Sequence, residues 1–431
     1  MTSARKTMRV TITPEFQTAY KAIEEGDNLL VLGSAGTGKS TFLKWLRKKI
    51  GESKNYVVLA ATGMAALQVG GQTVHSFFGF KPQLMNGADS WRKPRNRKIY
   101  KNLDLIIIDE ISMVRADVFE AIDQFLRIYG PEANKPFGGV QILAMGDLFQ
   151  LSPIVRREEQ HYFQETFGSA FFFSTEAWKA GAFQLVEFTN IFRQSDEPFI
   201  NLLNRVRQGE KSSGLLGEIN RQVSAEVSQN SVVLAARNRT VDNINERELD
   251  ALTTKAHTYI AKTSGKVETN IFNSPEKLIL KVGARVMFTR NDANGRWVNG
   301  TLGEIIECYE KSVVVKTDQG EEFIVEPIKW ELTKYEFDDE KNAPTATITG
   351  TFSQLPLTLA WALTIHKAQG QTLEHCTIDL SDGGAFAEGQ LYVALSRART
   401  LESIRLVQPI TASDVRTSKV VKGFYQALPK Q

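Results

Sequence analysis

Apolar and polar positions follow two rhythms along this chain. The run NLLVL, Asn28 to Leu32, is apolar over the length of a strand. After a glycine-rich stretch, Phe42, Leu43, Trp45, Leu46 and Ile50 recur at helical spacing, so strand, loop and helix are predicted in that order. Leu103 to Ile108 form a run with the β-branched content of a parallel strand covered on both faces, and GVQILAMG, from Gly139, supplies another. Further on, Val232, Val233 and Leu234 read as a strand and Val241, Ile244 and Leu249 as one face of a helix. From about Arg290 to Thr351 the rhythm becomes short β-rich runs with turns at Asn299-Gly300 and Gln319-Gly320, the pattern of a small antiparallel barrel inserted into the second half. The expected fold class is therefore α/β with parallel sheets and an inserted β subdomain.

Length, composition and charge narrow this picture. A chain of 431 residues predicts roughly two to four domains of ~100–200 residues, three being the working number. With 42% hydrophobic and 23% charged residues, the composition is that of a folded globular protein. The formal net charge of +3 is a small surplus over a nearly balanced pool, so any polyanionic partner must be argued from local clusters. No apolar run approaches the ~20 residues of a membrane span, and MTSARKTMRV lacks the apolar centre of a signal peptide. A cytoplasmic location without membrane partners is expected. Cys308 and Cys376 each stand alone, which excludes a disulfide scaffold and a CxxC metal knuckle.

The chemistry concentrates where strands end. Gly33, Ser34, Ala35, Gly36, Thr37, Gly38, Lys39 and Ser40 match G-x-x-x-x-G-K-[ST], followed by Thr41. Glycines in such a loop let backbone N–H groups converge on phosphate at a helix N-terminus, with Lys39 on the β/γ-phosphates of ATP and Ser40 on Mg²⁺. Asp109, ending its strand, is expected to hold the metal, and Glu110 to polarise the attacking water. The loop after the next strand carries Asp147 and Gln150 and ends at Pro153. An amide that both donates and accepts suits Gln150 to sensing the γ-phosphate.

GSAGTGKST, ATGMAALQVGGQTVHSFFGF, LIIIDEISMV, KPFGGVQILAMGDLFQLSPI, FTNIFRQ, LTLAWALTIHKAQGQTLE and LYVALSRART occur in the order of the helicase motifs of superfamily one, and their details resemble Pif-type DNA helicases and the related RecD and Dda enzymes. IDQFLRIYGPEANKPFGGVQ resembles the Pif signature region. The resemblance runs from about Thr13 to Leu406 and implies two RecA-like lobes, with ATP between them and single-stranded DNA across both. It implies a lobe 1A over 1–184, with a small basic 1B insertion at about 79–102. Lobe 2A would cover 185–290 and 352–431, split by an SH3-like 2B insertion at 291–351.

By the same resemblance, Arg193 and Arg397 match arginine fingers, and Gly370 approaches the nucleotide. Gln17 falls where the family reads adenine, although Phe16 intervenes in the usual TPEQ wording. Thr62, Gly63, Thr73, His75 and Phe77, with neighbouring Phe78, fall on the DNA path, as do Pro153, Thr364 and His366. Arg92, Lys93, Arg95, Arg97, Lys98 and Lys101 form a run without an acid, placed where relatives part the strands.

The implied function is an ATP-dependent DNA helicase moving 5′ to 3′ in genome maintenance. Its expected partners are single-stranded DNA and junctions of single- and double-stranded DNA, with G-quadruplexes as a further substrate class. A monomer is expected without DNA, and the compact chain points to a bacterial or phage source more than a eukaryotic one, with action at the bacterial nucleoid. The alternative is an ATP-switched single-stranded DNA-binding loader that unwinds nothing. An RNA helicase or a P-loop kinase fits the motif wording and the paired arginines less well.

Overall fold

The computed structural model describes residues 11–428 except 52, 82, 88, 89, 225–230, 266 and 273. Six strands form the first sheet: β1 (Leu29–Gly33), β2 (Tyr56–Ala60), β3 (Gln72–Thr73), β4 (Leu105–Asp109), β5 (Gln141–Gly146) and β6 (Gln184–Phe188). They lie in the order β3-β2-β4-β5-β1-β6, all parallel. Because side chains alternate across a strand, Val31, Ile107 and Leu143 face one core and Leu30, Ile106, Ile108 and Ile142 the other. The first core is closed by α1 (Pro14–Glu25) and α2 (Lys39–Ile50), through Phe16, Phe42, Leu43 and Leu46. Phe42 is fully buried and contributes roughly 2–3 kcal/mol by leaving water.

Two short helices, α3 (Gly63–Val69) and α4 (Val74–Phe78), follow β2 and β3. α5 (Lys98–Lys101) and α6 (Ala116–Tyr129) cover the second core through Ile99, Tyr100, Phe119, Ile122 and Phe125. The second lobe has a four-stranded parallel sheet. It begins at β7 (Val232–Ala235) and is completed after the insertion.

The insertion contains β8 (His257–Ile260), β9 (Lys262–Gly265), β10 (Lys277–Leu280), β11 (Arg285–Phe288), β12 (Leu302–Cys308), β13 (Val313–Thr317), β14 (Glu322–Val325), β15 (Ile328–Asp338), β16 (Ala343–Gln354) and β17 (Leu357–Leu359). Its main sheet runs β14-β13-β12-β11-β17 and is antiparallel throughout, around Phe288, Trp297, Ile305, Val313 and Leu357. β18 (Ala362–Thr364), β19 (Cys376–Asp379) and β20 (Ile404–Leu406) then complete the second lobe in the order β18-β7-β19-β20.

Three boundaries differ from those expected. The proposed lobe division at 184/185 falls at the start of β6, which pairs with β1 through Phe188 and buries Val186 and Phe188 beneath α1. The insertion is wider than 291–351, since its sheet is closed by β11 pairing with β17, and turn signals mark only its interior. The C-terminal helix Lys419–Ala427 returns to the first lobe, where Phe424 stacks on Phe173 at 4.2 Å between ring centres. Between residues 79 and 102, Phe80, Met85, Trp91, Ile99 and Tyr100 join the lobe core, while Arg92, Lys93, Arg95, Arg97, Lys98 and Lys101 are exposed.

A long hairpin of β15 and β16 leaves the insertion and reaches the first sheet. There Val58 N–H donates to the Tyr335 hydroxyl at 3.2 Å, and Tyr335 N–H donates to Gln72 Oε1 at 3.1 Å. No helix among the described residues is long and apolar enough to cross a membrane.

Candidate active site and nucleic-acid interface

The P-loop joins β1 to α2, and its geometry requires glycine. Gly36 and Gly38 have φ of 88° and 87°, and a β-carbon at Gly33 would lie 2.5 Å from Thr37 Oγ1. Gly38 caps α2 without a side chain, so the first-turn N–H groups are left to a ligand. Lys39 Nζ folds back to Gly33 O (2.7 Å) and Ser34 O (3.0 Å). Its pKa is lowered by burial, against the attraction of Asp147, Glu110 and Asp109. Those three carboxylates and the lysine therefore share one field. Ser40 and Thr41 are exposed at the helix start.

Asp109 ends β4, 8% exposed, and burial raises its pKa. Its carboxylate makes no side-chain ion pair among the described residues, and a desolvated acid lining the same cavity as Ser40 fits a divalent cation. Glu110 occupies the left-handed region at φ 51°, a conformation that costs a non-glycine residue ~1–2 kcal/mol and turns the side chain out of the strand line. Burial, with Asp109 beside it, pushes its pKa up to about 7, the range suited to a general base. Ser40, Asp109 and Glu110 line a cavity of about 1050 Å³ whose walls also include Lys44 and Arg399 and, from the insertion, Arg290 and Lys329.

Across the lobe seam, Arg193 lies against the loop: a β-carbon on Gly36 would meet its Cβ at 2.6 Å, and Phe192 N–H donates to Gly36 O at 2.9 Å. Its guanidinium donates to Ser396 O (3.3 Å) and Gly370 O (3.2 Å), and Gln194 Nε2 also reaches Ser396 O. Arg397 is 1% exposed and spends its donors inside the second lobe, on Val393 O, Ala368 O, Gln371 O and Ser396 Oγ. Burial and Arg193 push its pKa down to about 9, while Glu110 acts in the other direction. Arg193 thus borders the P-loop directly, whereas Arg397 buttresses the segment carrying Gly370. Gln150, 6% exposed, donates to Asp147 Oδ2 (3.3 Å) and accepts from Gln369 of the facing lobe (3.0 Å). Gln17 is exposed on the first turn of α1, which Thr13 caps by accepting from Phe16 N–H.

The expected DNA contacts divide into two groups. Thr62 and Thr73 cap α3 and α4, their hydroxyls accepting from Ala65 and Ser76 N–H. Thr62 and His75 share a groove of about 160 Å³ with Arg115 and Ile154, the neighbour of Pro153. On the second lobe Thr364 ends β18 and accepts from Lys367 N–H, and His366 lies over Phe386 at 6.5 Å. Burial lowers the pKa of His75 and His366, so both would meet phosphate as neutral hydrogen-bonding rings. Gly63 is covered by Ile271 of the insertion.

Phe77 is a correction. It is 5% exposed and packs on Phe78, Tyr100 and Tyr335, with its carbonyl accepting from the Tyr100 hydroxyl, so no face remains for a base. Phe78, 1% exposed, is equally committed. An aromatic that the sequence reading missed is better placed: Phe386 is 46% exposed between His366 and the Arg237 guanidinium. Its flanking residues, DGGAFAEG, carry no signal for it.

Comparison with known proteins agrees with this fold. Residues 11–214 match the model of the PIF1-like helicase family. The chain is 32% identical to the ATP-dependent DNA helicase Pif1 of Bdellovibrio bacteriovorus, over 97% of this chain and 92% of that one. The Xenopus and human relatives are longer, and this chain spans about two thirds of each. The crystal structure of Bacteroides sp. Pif1 in complex with ADP-AlF4 superposes with a TM-score of 0.89 at 34% identity, covering 97% of both chains. The Bacteroides Pif1 structure bound to single-stranded DNA gives 0.70 at 35% identity over the same shares. With its P-loop, strand-end carboxylates and facing arginine set in two parallel-sheet lobes, this chain belongs to the PIF1-like helicase family.

Proposed function

We propose that this chain is an ATP-dependent DNA helicase that moves 5′ to 3′ along single-stranded DNA. The observation that carries the reading is the cleft itself: Lys39, Asp109 and Glu110 from one lobe face Arg193 and Gly370 from the other side of a seam already in contact. P-loop amides and Lys39 hold the phosphates, and Arg193 offsets charge at the γ-phosphate, with Arg397 behind it. Glu110 takes the proton from the attacking water, and Gln150 links that event to Gln369 of the second lobe. Ser40 and Asp109 would hold Mg²⁺, which would supply charge neutralisation at the phosphates.

Each cycle closes and opens the seam, and the two DNA grips, Thr62, Gly63, Thr73, His75 and Pro153 on one lobe, Thr364 and His366 on the other, alternate their hold. Gln17 contacts adenine. Arg92, Lys93, Arg95 and Lys101 are exposed and make no ion pair in the described residues, which suits phosphate contact at a duplex junction. Forked duplexes and G-quadruplexes are the substrates to compare, for a monomer acting at a bacterial nucleoid.

The test is unwinding of duplexes with a 5′ or a 3′ tail, with and without ATP and Mg²⁺, beside Glu110→Gln. ATP-dependent opening of only the 5′-tailed duplex, abolished in the variant, is expected. Opening of only the 3′-tailed duplex reverses the polarity assignment, and DNA-stimulated hydrolysis without opening of either identifies a loader.

A further inference from the structure

One buried carboxylate ties together the phosphate loop and both lobes. Asp147, fully buried after β5, receives the Tyr392 hydroxyl at Oδ2 (3.1 Å), Gln150 Nε2 at Oδ2 (3.3 Å), and Arg207 Nε and Nη2 at Oδ1 (3.3 and 3.2 Å). Tyr392 comes from the second-lobe helix Gln390–Leu395 and is 3% exposed. Its hydroxyl also lies 3.1 Å from the amide nitrogen of Ala35 in the P-loop. The direction of this relay follows from chemistry: a carboxylate only accepts, so the one phenolic proton goes to Asp147 and the oxygen lone pair receives Ala35 N–H. Burial and Asp147 raise the phenol pKa, so the proton stays. The Arg207 guanidinium lies 4.5 Å from the Phe149 ring and 5.5 Å from that of Tyr425 on the C-terminal helix, and Nη2 donates to the Tyr425 hydroxyl at 3.1 Å.

We infer that Tyr392 is a positioning residue that couples lobe closure to the conformation of the P-loop. Its hydroxyl holds Ala35, which contributes no phosphate donor while so engaged, and it does so from an element that moves with the second lobe. Separation of the lobes therefore releases the outer turn of the loop, and closure sets it. Asp147 and Arg207 hold the hydroxyl in place, and Tyr425 extends that anchorage to the C-terminus. None of these four residues touches the reacting atoms; they act through the loop. The inference rests on the ATPase reading above.

Tyr392→Phe keeps the ring and deletes only the relay. With single-stranded DNA present, its kcat for ATP hydrolysis is expected to fall about tenfold with KM for ATP changed less than twofold, and base pairs opened per ATP should fall as well. Combined with Arg207→Lys, the losses in kcat should be non-additive, because both act through Asp147. Should that double variant not fold, Tyr425→Phe replaces Arg207→Lys in the cycle. A Tyr392→Phe kcat within twofold of wild type, or losses that multiply independently, overturns the inference. Lys39→Ala separates the two readings: hydrolysis surviving that change sinks the site assignment, whereas its loss beside an unaffected Tyr392→Phe sinks only the coupling role.

Discussion

Ile271 of the insertion sits on Gly63 at the start of α3: a β-carbon on the glycine would lie 2.7 Å from Ile271 Cγ2. Gly63, part of the proposed first-lobe DNA grip, is thus covered by an apolar side chain that competes with an entering strand. Ile271→Ser removes apolar contact worth about 1 kcal/mol and should tighten nucleotide-free binding of single-stranded DNA roughly fivefold. Fluorescence anisotropy of a labelled oligonucleotide measures this, and unchanged or weaker binding would mean that Ile271 does not compete with DNA.

Lys39→Ala and Glu110→Gln should separate binding from chemistry. Removing the lysine is expected to abolish both ATP binding and hydrolysis. The glutamine variant should retain nucleotide affinity while kcat falls by ~10²–10⁴, the range of a general base. Equilibrium binding of a fluorescent ATP analogue beside steady-state hydrolysis distinguishes the two, and equal loss of affinity in both variants would argue against the base role.

Two phenylalanines should behave oppositely. Phe77→Ala opens a hole in a core built with Phe78, Tyr100 and Tyr335 and is expected to cost ~3–5 kcal/mol of stability in chemical denaturation. Phe386→Ala, at an exposed ring, should leave stability within about 0.5 kcal/mol and weaken single-stranded DNA binding by ~1–3 kcal/mol if a base stacks there. Unaltered DNA affinity in Phe386→Ala would remove it from the path.

The basic run is tested by salt. Replacing Arg92, Lys93 and Arg95 together by alanine should lower the dependence of log K on log salt for forked DNA by about 2, at ~0.7–0.9 for each phosphate no longer neutralised by a side chain. An unchanged slope would make the run a solvated face.

The motifs were legible because their chemistry is local. Gly36 and Gly38 lie within three positions of the lysine they serve, and the alternation of Ile106, Ile107 and Ile108 announces a strand covered on both faces. The same local rules misplaced Phe77: an aromatic beside His75 reads equally well as a stacking residue or as core, and only Tyr100 and Tyr335, remote in the chain, decide which. The start of β6 was read as a lobe boundary because pairing with β1 spans some 150 positions and leaves no periodic trace.

Glycine spacing and runs of apolar residues were enough to establish an ATP-handling α/β chain, since backbone conformation and strand burial are dictated by neighbours a few positions apart. Partners at long range were settled by folding alone: Tyr392 with Ala35, Arg207 with Asp147, Phe424 with Phe173 and Ile271 with Gly63. Each depends on burial that two lobes create together. A hydroxyl or guanidinium gains its role only once water has been excluded around it, and that exclusion is a property of packing, written in no single stretch of the chain.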